Sequence, residues 1–203
     1  MVVKNEVRPI AKLRGILENQ KGIILTSDLP KHGIPRLYLS VLENKGEIQR
    51  VSRGVYTASN SIMDEMVILQ IRYKRAIFSH ETALYLHDLT DRTPLFYTVT
   101  VPAGYNATTL KAEGSKVFFV NRDLYLLGLI TMKSSHGNDI KTFDLERTIC
   151  DLLRSRNQVD VQFVNDALKR YVVNKTRNID LLYRYAKSFG IQKIVRQYLE
   201  VLL

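Results

Sequence analysis

Apolar positions near the start of the chain predict two helices separated by a short extended segment. Residues 8–19 carry apolar side chains at the spacing of one helical face, and Gly22 lies where that helix ends. Residues 23–25 are apolar and predict a short strand. Thr26 or Ser27 is then placed to cap the second helix.

The following segment predicts a tight turn and a third helix. Gly33 supplies the turn, and Gly46 ends the helix. Within it, Leu39 and Leu42 are spaced so that both enter a core. This helix has more apolar residues than one face requires, so Tyr38 or Val41 is expected to contact either DNA or a second domain.

A β-hairpin closes this region, with Arg53 and Gly54 at its tip. Gly54 is the residue there that adopts a positive φ without strain. We therefore predict that residues 1–60 form a winged helix-turn-helix, a compact arrangement that reads the major groove of DNA.

Beyond residue 60 the pattern changes to alternating short strands and helices. Ser61 is placed to cap a helix that reaches Tyr73, and we predict that residues 61–79 connect the two parts of the molecule. Ser79 is placed to cap the next helix. Strands are predicted at 76–78, 96–101, 116–120, 129–133 and 140–143.

Three polar residues, Asp144, Asp160 and Asn178, each precede an apolar run at helical spacing and predict capped helices. A fourth helix follows Gly190. The predicted fold class is α+β: an N-terminal winged helix-turn-helix, a mixed α/β region and a C-terminal helical bundle. The second domain is predicted at 80–203, with its α+β part to about residue 143 and its helical part from 144.

The charge balance favours a polyanionic partner. Lysine and arginine outnumber aspartate and glutamate by 30 to 20, so the net charge is +10. The single cysteine, Cys150, excludes an internal disulfide, and its apolar neighbours indicate a buried structural role. Neither a signal peptide nor a bilayer-spanning apolar run is visible, so we expect a cytoplasmic protein.

The predicted recognition helix begins at Arg36, the best-placed residue for a bidentate contact to guanine. Arg50 and Arg53 flank the hairpin tip, where contact with the sugar-phosphate backbone is expected. Thr26 and Ser27 lie at a helix N-terminus, where N–H groups bind phosphate. The predicted DNA-binding residues are Thr26, Ser27, Lys31, His32, Arg36, Tyr38, Ser40, Lys45, Arg50 and Arg53.

A second concentration of cations lies in the predicted C-terminal helices. It consists of Arg154, Arg156, Lys169, Arg170, Lys175, Arg177, Arg184 and Lys187. A solvated helix face explains these residues without any ligand, and a second polyanion-binding surface is the alternative. RNA binding there is a weaker hypothesis, since no arrangement of aromatic residues for base stacking is visible.

The sequence contains no motif for a cofactor, a metal or a catalytic centre. His80 and His87 are seven residues apart, whereas a helical zinc pair requires four. The best candidate for catalysis is a Mg²⁺-dependent nuclease that uses Asp123 and Asp139 with Lys141. Two such carboxylates often occur near each other by chance, so we predict that the protein is not an enzyme.

Four segments in this order resemble the AbiEi-type antitoxins of abortive-infection systems, which are classed as type IV toxin–antitoxin pairs. The segments are RVSRGVYTAS, FSHETALYLHDLTDRTP, TVTVP and FDLERTICDLLR. The resemblance implies a winged helix that binds inverted repeats in its own promoter and represses its operon. It also implies a C-terminal domain that counters a co-encoded nucleotidyltransferase-like toxin without a stable complex, in defence against phage.

The resemblance gives the DNA contacts to Arg36, Arg50 and Arg53. Ser79 and His80 lie in a segment typical of the family, but capping explains Ser79 and no chemistry is assigned to either. The alternative function is a stand-alone winged-helix transcriptional regulator whose C-terminal domain senses a ligand or partner. No heptad seam is visible, so we expect a monomer in solution and two copies on DNA.

Overall fold

The computed structural model describes the backbone of residues 3–202 and the side chains of residues 8–200. Two compact units are present, divided between Glu65 and Met66. The fold is mixed α+β and contains two β-sheets. None of the described helices combines the length and apolar character needed to cross a bilayer.

The first unit contains α1 (Val3–Asn19), β1 (Ile23–Leu25), a 3-10 helix (Leu29–His32), α2 (Leu37–Asn44), β2 (Ile48–Ser52) and β3 (Val55–Ala58). Its strands form an antiparallel sheet in the order β1-β3-β2. Leu39 and Leu42 of α2 are buried in the same apolar cluster as Leu13 of α1. The sequence-based placement of these two leucines in a core is confirmed.

Two capping predictions in this unit are wrong. The second helical segment is a single 3-10 turn whose N-cap is Asp28, so neither Thr26 nor Ser27 caps it. Ser61 lies in a turn, where its hydroxyl donates to the Ala58 carbonyl at 2.8 Å. The helix that follows begins only at Glu65, so Ser61 lies too far before it to be its N-cap.

The second unit, with the helix at its boundary, contains α3 (Glu65–Arg72), β4 (Ile77–Phe78), α4 (His80–Leu86), β5 (Thr98–Pro102), α5 (Thr108–Ala112), β6 (Lys116–Val120), β7 (Leu129–Lys133), β8 (Asp139–Phe143), α6 (Leu145–Arg154), α7 (Val161–Val173), α8 (Ile179–Ser188) and α9 (Gln192–Leu202). Its five strands form one sheet in the order β6-β5-β4-β8-β7. The two-residue strand β4 is central, antiparallel to β5 and parallel to β8. The predicted strand positions agree with those observed to within about two residues.

Helix α6 lies at the centre of the helical part, and nine of its ten residues are buried. The predicted caps Asp144, Asp160 and Asn178 are confirmed, since each side chain accepts a hydrogen bond from a backbone N–H of the first turn. Cys150 of α6 is fully buried, and burial raises the pKa of its thiol to about 12. A structural role for this cysteine fits that environment.

Candidate nucleic-acid interface

A tight turn joins the 3-10 helix to α2 in the first unit. Gly33 has a φ of +65°, and its N–H donates to the Pro30 carbonyl at 3.1 Å. The next N–H, that of Ile34, donates to the Leu29 carbonyl at 3.0 Å. The Ile34 side chain is buried, so the turn is anchored in the core and fixes where α2 begins.

Helix α2 leaves a stripe of side chains exposed opposite its buried leucines. Arg36, Ser40 and Asn44 follow one another at four-residue spacing, and all three are exposed. Leu37 stands beside Arg36 and is 59% exposed. Within the described part of the chain, the Arg36 guanidinium has no hydrogen-bond or ion-pair partner. The stripe therefore presents a cation, an apolar group, a hydroxyl and an amide to solvent.

The hairpin of β2 and β3 has Arg53 and Gly54 at its tip. The strand register shifts between Arg50 and Ser52, a bulge that increases local twist. Gly54 has a φ of +79°, and a Cβ at this position would lie 2.7 Å from Thr26 Oγ1. Glycine is thus required both by the backbone conformation and by the close approach of Thr26.

Both arginines of the hairpin are exposed. The Arg50 Nε donates to the Ser52 carbonyl at 3.4 Å, a long contact. Arg53 has no side-chain partner among the described residues. Neither guanidinium is neutralised by a carboxylate of residues 8–200, so both remain available to an anionic ligand.

Some residues predicted to contact DNA are engaged by the protein itself. The Thr26 N–H and hydroxyl both donate to the Gly54 carbonyl, at 2.9 and 3.4 Å. The hairpin therefore uses both donors of Thr26, and the phosphate contact expected at Thr26 and Ser27 stays a prediction. Lys31 pairs with Asp28 at 2.8 Å, and Tyr38 is half-buried against the core cluster.

The remaining predicted contacts, Ser27, His32 and Lys45, are exposed. Arg14 of α1 is also exposed, but it makes a bidentate pair with Glu47, with N···O distances of 2.9 and 2.8 Å. That pair satisfies the Arg14 guanidinium within the unit.

The predicted second basic surface is partly neutralised. Arg170 pairs with Asp91, and Arg154 pairs with Asp151 at 3.3 Å. Arg156 donates to the Leu153 carbonyl at 2.9 Å. The other members are exposed: Lys169, Lys175, Arg177, Arg184 and Lys187. A polyanion site in these helices stays a prediction for those five.

In the part of the chain that the structure describes, no metal cluster supports the nuclease hypothesis. Among residues 8–200, no group of three or more His, Cys, Asp or Glu side chains is arranged to hold a metal ion. Asp123 lies in a 3-10 turn, while Asp139 pairs with Lys133 across β7 and β8.

The segment that contains the turn, α2 and the hairpin matches a known family. Residues 12–58 match the family model described as "AbiEi_4: Transcriptional regulator, AbiEi antitoxin". These residues form an AbiEi segment. The resemblance to the AbiEi antitoxins is confirmed over this range, and the AbiEi segment includes Arg36, Leu37, Arg50 and Arg53.

A solved structure resembles this fold over more of the chain than the AbiEi segment covers. The fold resembles the crystal structure of the RV2827C protein from Mycobacterium tuberculosis, with a TM-score of 0.63 and 12% sequence identity. The match covers 87% of this chain and 70% of that chain. At this identity the likeness concerns the fold alone. No curated protein sequence matches the chain.

Sequence reasoning missed Leu37 and Asn44 as members of the exposed stripe. Asn44 follows Arg36 and Ser40 at the same spacing, so the helical period alone could have included it. Leu37 was harder to assign, because an apolar residue in an apolar-rich helix is normally assigned to the core.

Proposed function

We propose that this protein is a winged-helix antitoxin that binds inverted repeats in its own promoter and represses its operon. The observation that carries the proposal is the exposed, unneutralised Arg36 at the start of α2, inside the AbiEi segment. The order of helices, turn and hairpin supports a winged helix, in which α2 enters the major groove. Two copies bind one inverted repeat, and the free protein is a monomer.

In this arrangement Arg36 binds guanine O6 and N7, the commonest specific contact in the major groove. Leu37 lies beside it and contacts the methyl group of a neighbouring thymine. Arg50 and Arg53 bind phosphates and position the protein without specifying sequence. Each half-site should therefore contain a guanine next to a thymine.

The second unit is the antitoxin part of the proposal. It counters a co-encoded nucleotidyltransferase-like toxin in the cytoplasm without a stable complex, as part of abortive-infection defence against phage. The family description of the AbiEi segment, which joins regulation and antitoxin activity, supports this assignment.

Fluorescence anisotropy with promoter DNA tests the regulatory half. Arg36→Ala should reduce the binding free energy by about 1–3 kcal/mol, or the affinity by roughly 5- to 150-fold, for operator DNA but not for unrelated DNA. Arg53→Ala should weaken operator and unrelated DNA equally and reduce the log–log salt slope by about 0.9. Arg196→Ala, which removes an exposed cation of α9, is the matched control. Equal affinity of all three variants for all DNA would refute the proposal.

Co-expression with the neighbouring toxin gene tests the antitoxin half. The full chain should restore growth, and an Arg36→Ala/Arg53→Ala double variant should restore it equally, because only DNA binding is lost. A chain that binds its promoter but does not restore growth is instead the stand-alone regulator.

A further inference from the structure

A cavity of about 170 Å³ lies in the second unit, between the sheet face of β5 and β6 and the C-terminal end of α6. It is lined by charged, polar and aromatic side chains, notably His80, Thr100, Phe118, Asp151, Arg154 and Gln158. None of them belongs to the AbiEi segment or to the proposed DNA interface.

His80 is held in this cavity at an unusual backbone conformation. Its φ is +47°, in the left-handed region, and its side chain is almost completely buried. The imidazole stacks on the Phe118 ring with centroids 3.6 Å apart and planes 14° from parallel. A non-glycine residue in this region costs energy and persists only where its surroundings fix it, a situation common at binding sites.

A chain of hydrogen bonds determines which imidazole nitrogen carries the proton. Thr100 Oγ1 lies 2.9 Å from Ser79 Oγ, which lies 3.0 Å from His80 Nδ1. Both hydroxyls are buried. Both hydroxyl protons are used only if Thr100 donates to Ser79 and Ser79 donates to Nδ1. Nδ1 is then an acceptor, and the proton resides on Nε2.

His80 is neutral at pH 7, because burial lowers its pKa to about 4. Its Nε2 has no hydrogen-bond partner in the described part of the chain. An N–H donor in the wall of a cavity, with no protein acceptor, fits an acceptor group on a ligand.

Charges of both signs act on His80: those of the carboxylates of Asp151 and Glu81 and of the guanidinium groups of Arg147 and Arg154. Asp151 is 1% exposed and accepts from Arg147 Nε at 3.0 Å and Arg154 Nη1 at 3.3 Å. Two guanidinium groups thus share this one buried carboxylate. Because Arg154 also lines the cavity, a bound oxyanion would give its guanidinium a further acceptor.

We propose that this cavity binds a small oxyanion, a carboxylate or phosphate group, through His80 Nε2–H, the Arg154 guanidinium and the Gln158 side-chain amide. Arg154 is 35% exposed, so its guanidinium is reachable from solvent while still paired with Asp151. Arginine suits this role because its planar fork binds two oxygens of one anion.

NMR of the full chain tests this site directly. Side-chain ¹H–¹⁵N spectra at pH 7 should show His80 as the neutral Nε2–H tautomer. Addition of sodium phosphate in one arm, or sodium acetate in the other, at ionic strength held constant with sodium chloride, should shift the His80 signals saturably in at least one arm. The exposed His32 and His136 should shift little, and the arm that saturates at lower concentration identifies the preferred oxyanion.

Two substitutions separate the site from general charge effects. Arg154→Gln should weaken the saturating anion about tenfold or more, because it removes a charge-assisted contact. Arg196→Gln removes an exposed cation elsewhere and should leave the affinity unchanged. If Arg154→Gln does not fold, the wild-type tautomer and saturation curve decide the question.

An Nδ1–H tautomer overturns the proposal, as does a His80 signal that neither anion shifts or that follows those of His32 and His136 without saturating. These signals are independent of promoter binding. Failure of the anion site and failure of the DNA proposal are therefore distinguishable.

Discussion

Neutralising Asp151 should destabilise the protein strongly. Asp151→Asn preserves size but removes the carboxylate that faces the buried guanidinium of Arg147. A buried ion left without its partner costs about 3–5 kcal/mol. Because the asparagine side chain fits the same space, the change isolates the loss of charge from a loss of packing.

Other contacts of Arg147 place the expected decrease in the free energy of unfolding near the lower end of this range, at about 3 kcal/mol. Its Nη1 donates to the carbonyls of Leu124 and Leu127 at 2.9 and 2.6 Å. Its guanidinium also lies over the rings of Phe143 and Phe189, 4.0 and 4.5 Å from their centroids. These contacts survive the substitution and solvate the cation in part.

Thermal and urea unfolding of the full chain measure the effect, and about 3 kcal/mol corresponds to a melting temperature lower by roughly 6–12 °C. Asp91→Asn is the matched control, since Asp91 also pairs with an arginine but is 84% exposed. It should leave the unfolding transition unchanged. If Asp151→Asn unfolds like Asp91→Asn, the reasoning about buried charge is refuted.

Three further predictions concern stability. Leu42→Ala should lower the free energy of unfolding by about 2–5 kcal/mol because the side chain is fully buried, and a loss below 1 kcal/mol in urea titration would contradict the core assignment. Gly54→Ala should destabilise the first unit more than Gly33→Ala. Both glycines have a positive φ, which costs an alanine about 1–2 kcal/mol. Only at Gly54 would the new methyl group also lie within 4 Å of a side-chain atom, Thr26 Oγ1. As pH falls from about 6.5 to about 4, His80 takes up a proton in the unfolded chain but not in the folded protein. The free energy of unfolding should therefore decrease by about 3 kcal/mol in total over this range. His80→Asn should remove this part of the pH dependence, and an unchanged slope in that variant would contradict the prediction.

Features that depend on adjacent residues were predictable from the sequence. Asp144, Asp160 and Asn178 cap helices because the N–H groups they accept from lie two or three residues further along the chain. Thr26 has the same local signature, but the helical turn begins only after Asp28, and the Thr26 N–H and hydroxyl donate instead to the Gly54 carbonyl, 28 residues away. The prediction failed there because a tertiary contact competed with a local one.

The residues that line the cavity in the second unit could not be grouped together from the sequence. Ser79 does occupy the N-cap position of α4, yet its side chain makes no capping hydrogen bond. Its hydroxyl instead forms a hydrogen bond with His80 Nδ1. Thr100, Asp151 and Arg154 come from other segments of the sequence. No periodicity relates residues that meet only when a strand and a distant helix pack together, so this cluster could not be predicted from the sequence.

The position of β4 affects how the proposed antitoxin activity can be mapped by truncation. A fragment that starts at residue 80, the predicted domain boundary, lacks the strand that links β5 to β8. What remains is two separate strand pairs, and two-stranded ribbons are marginal in water. Loss of toxin protection by such a fragment would report a broken sheet rather than a missing activity, so deletion series should keep the chain from Met66 onward.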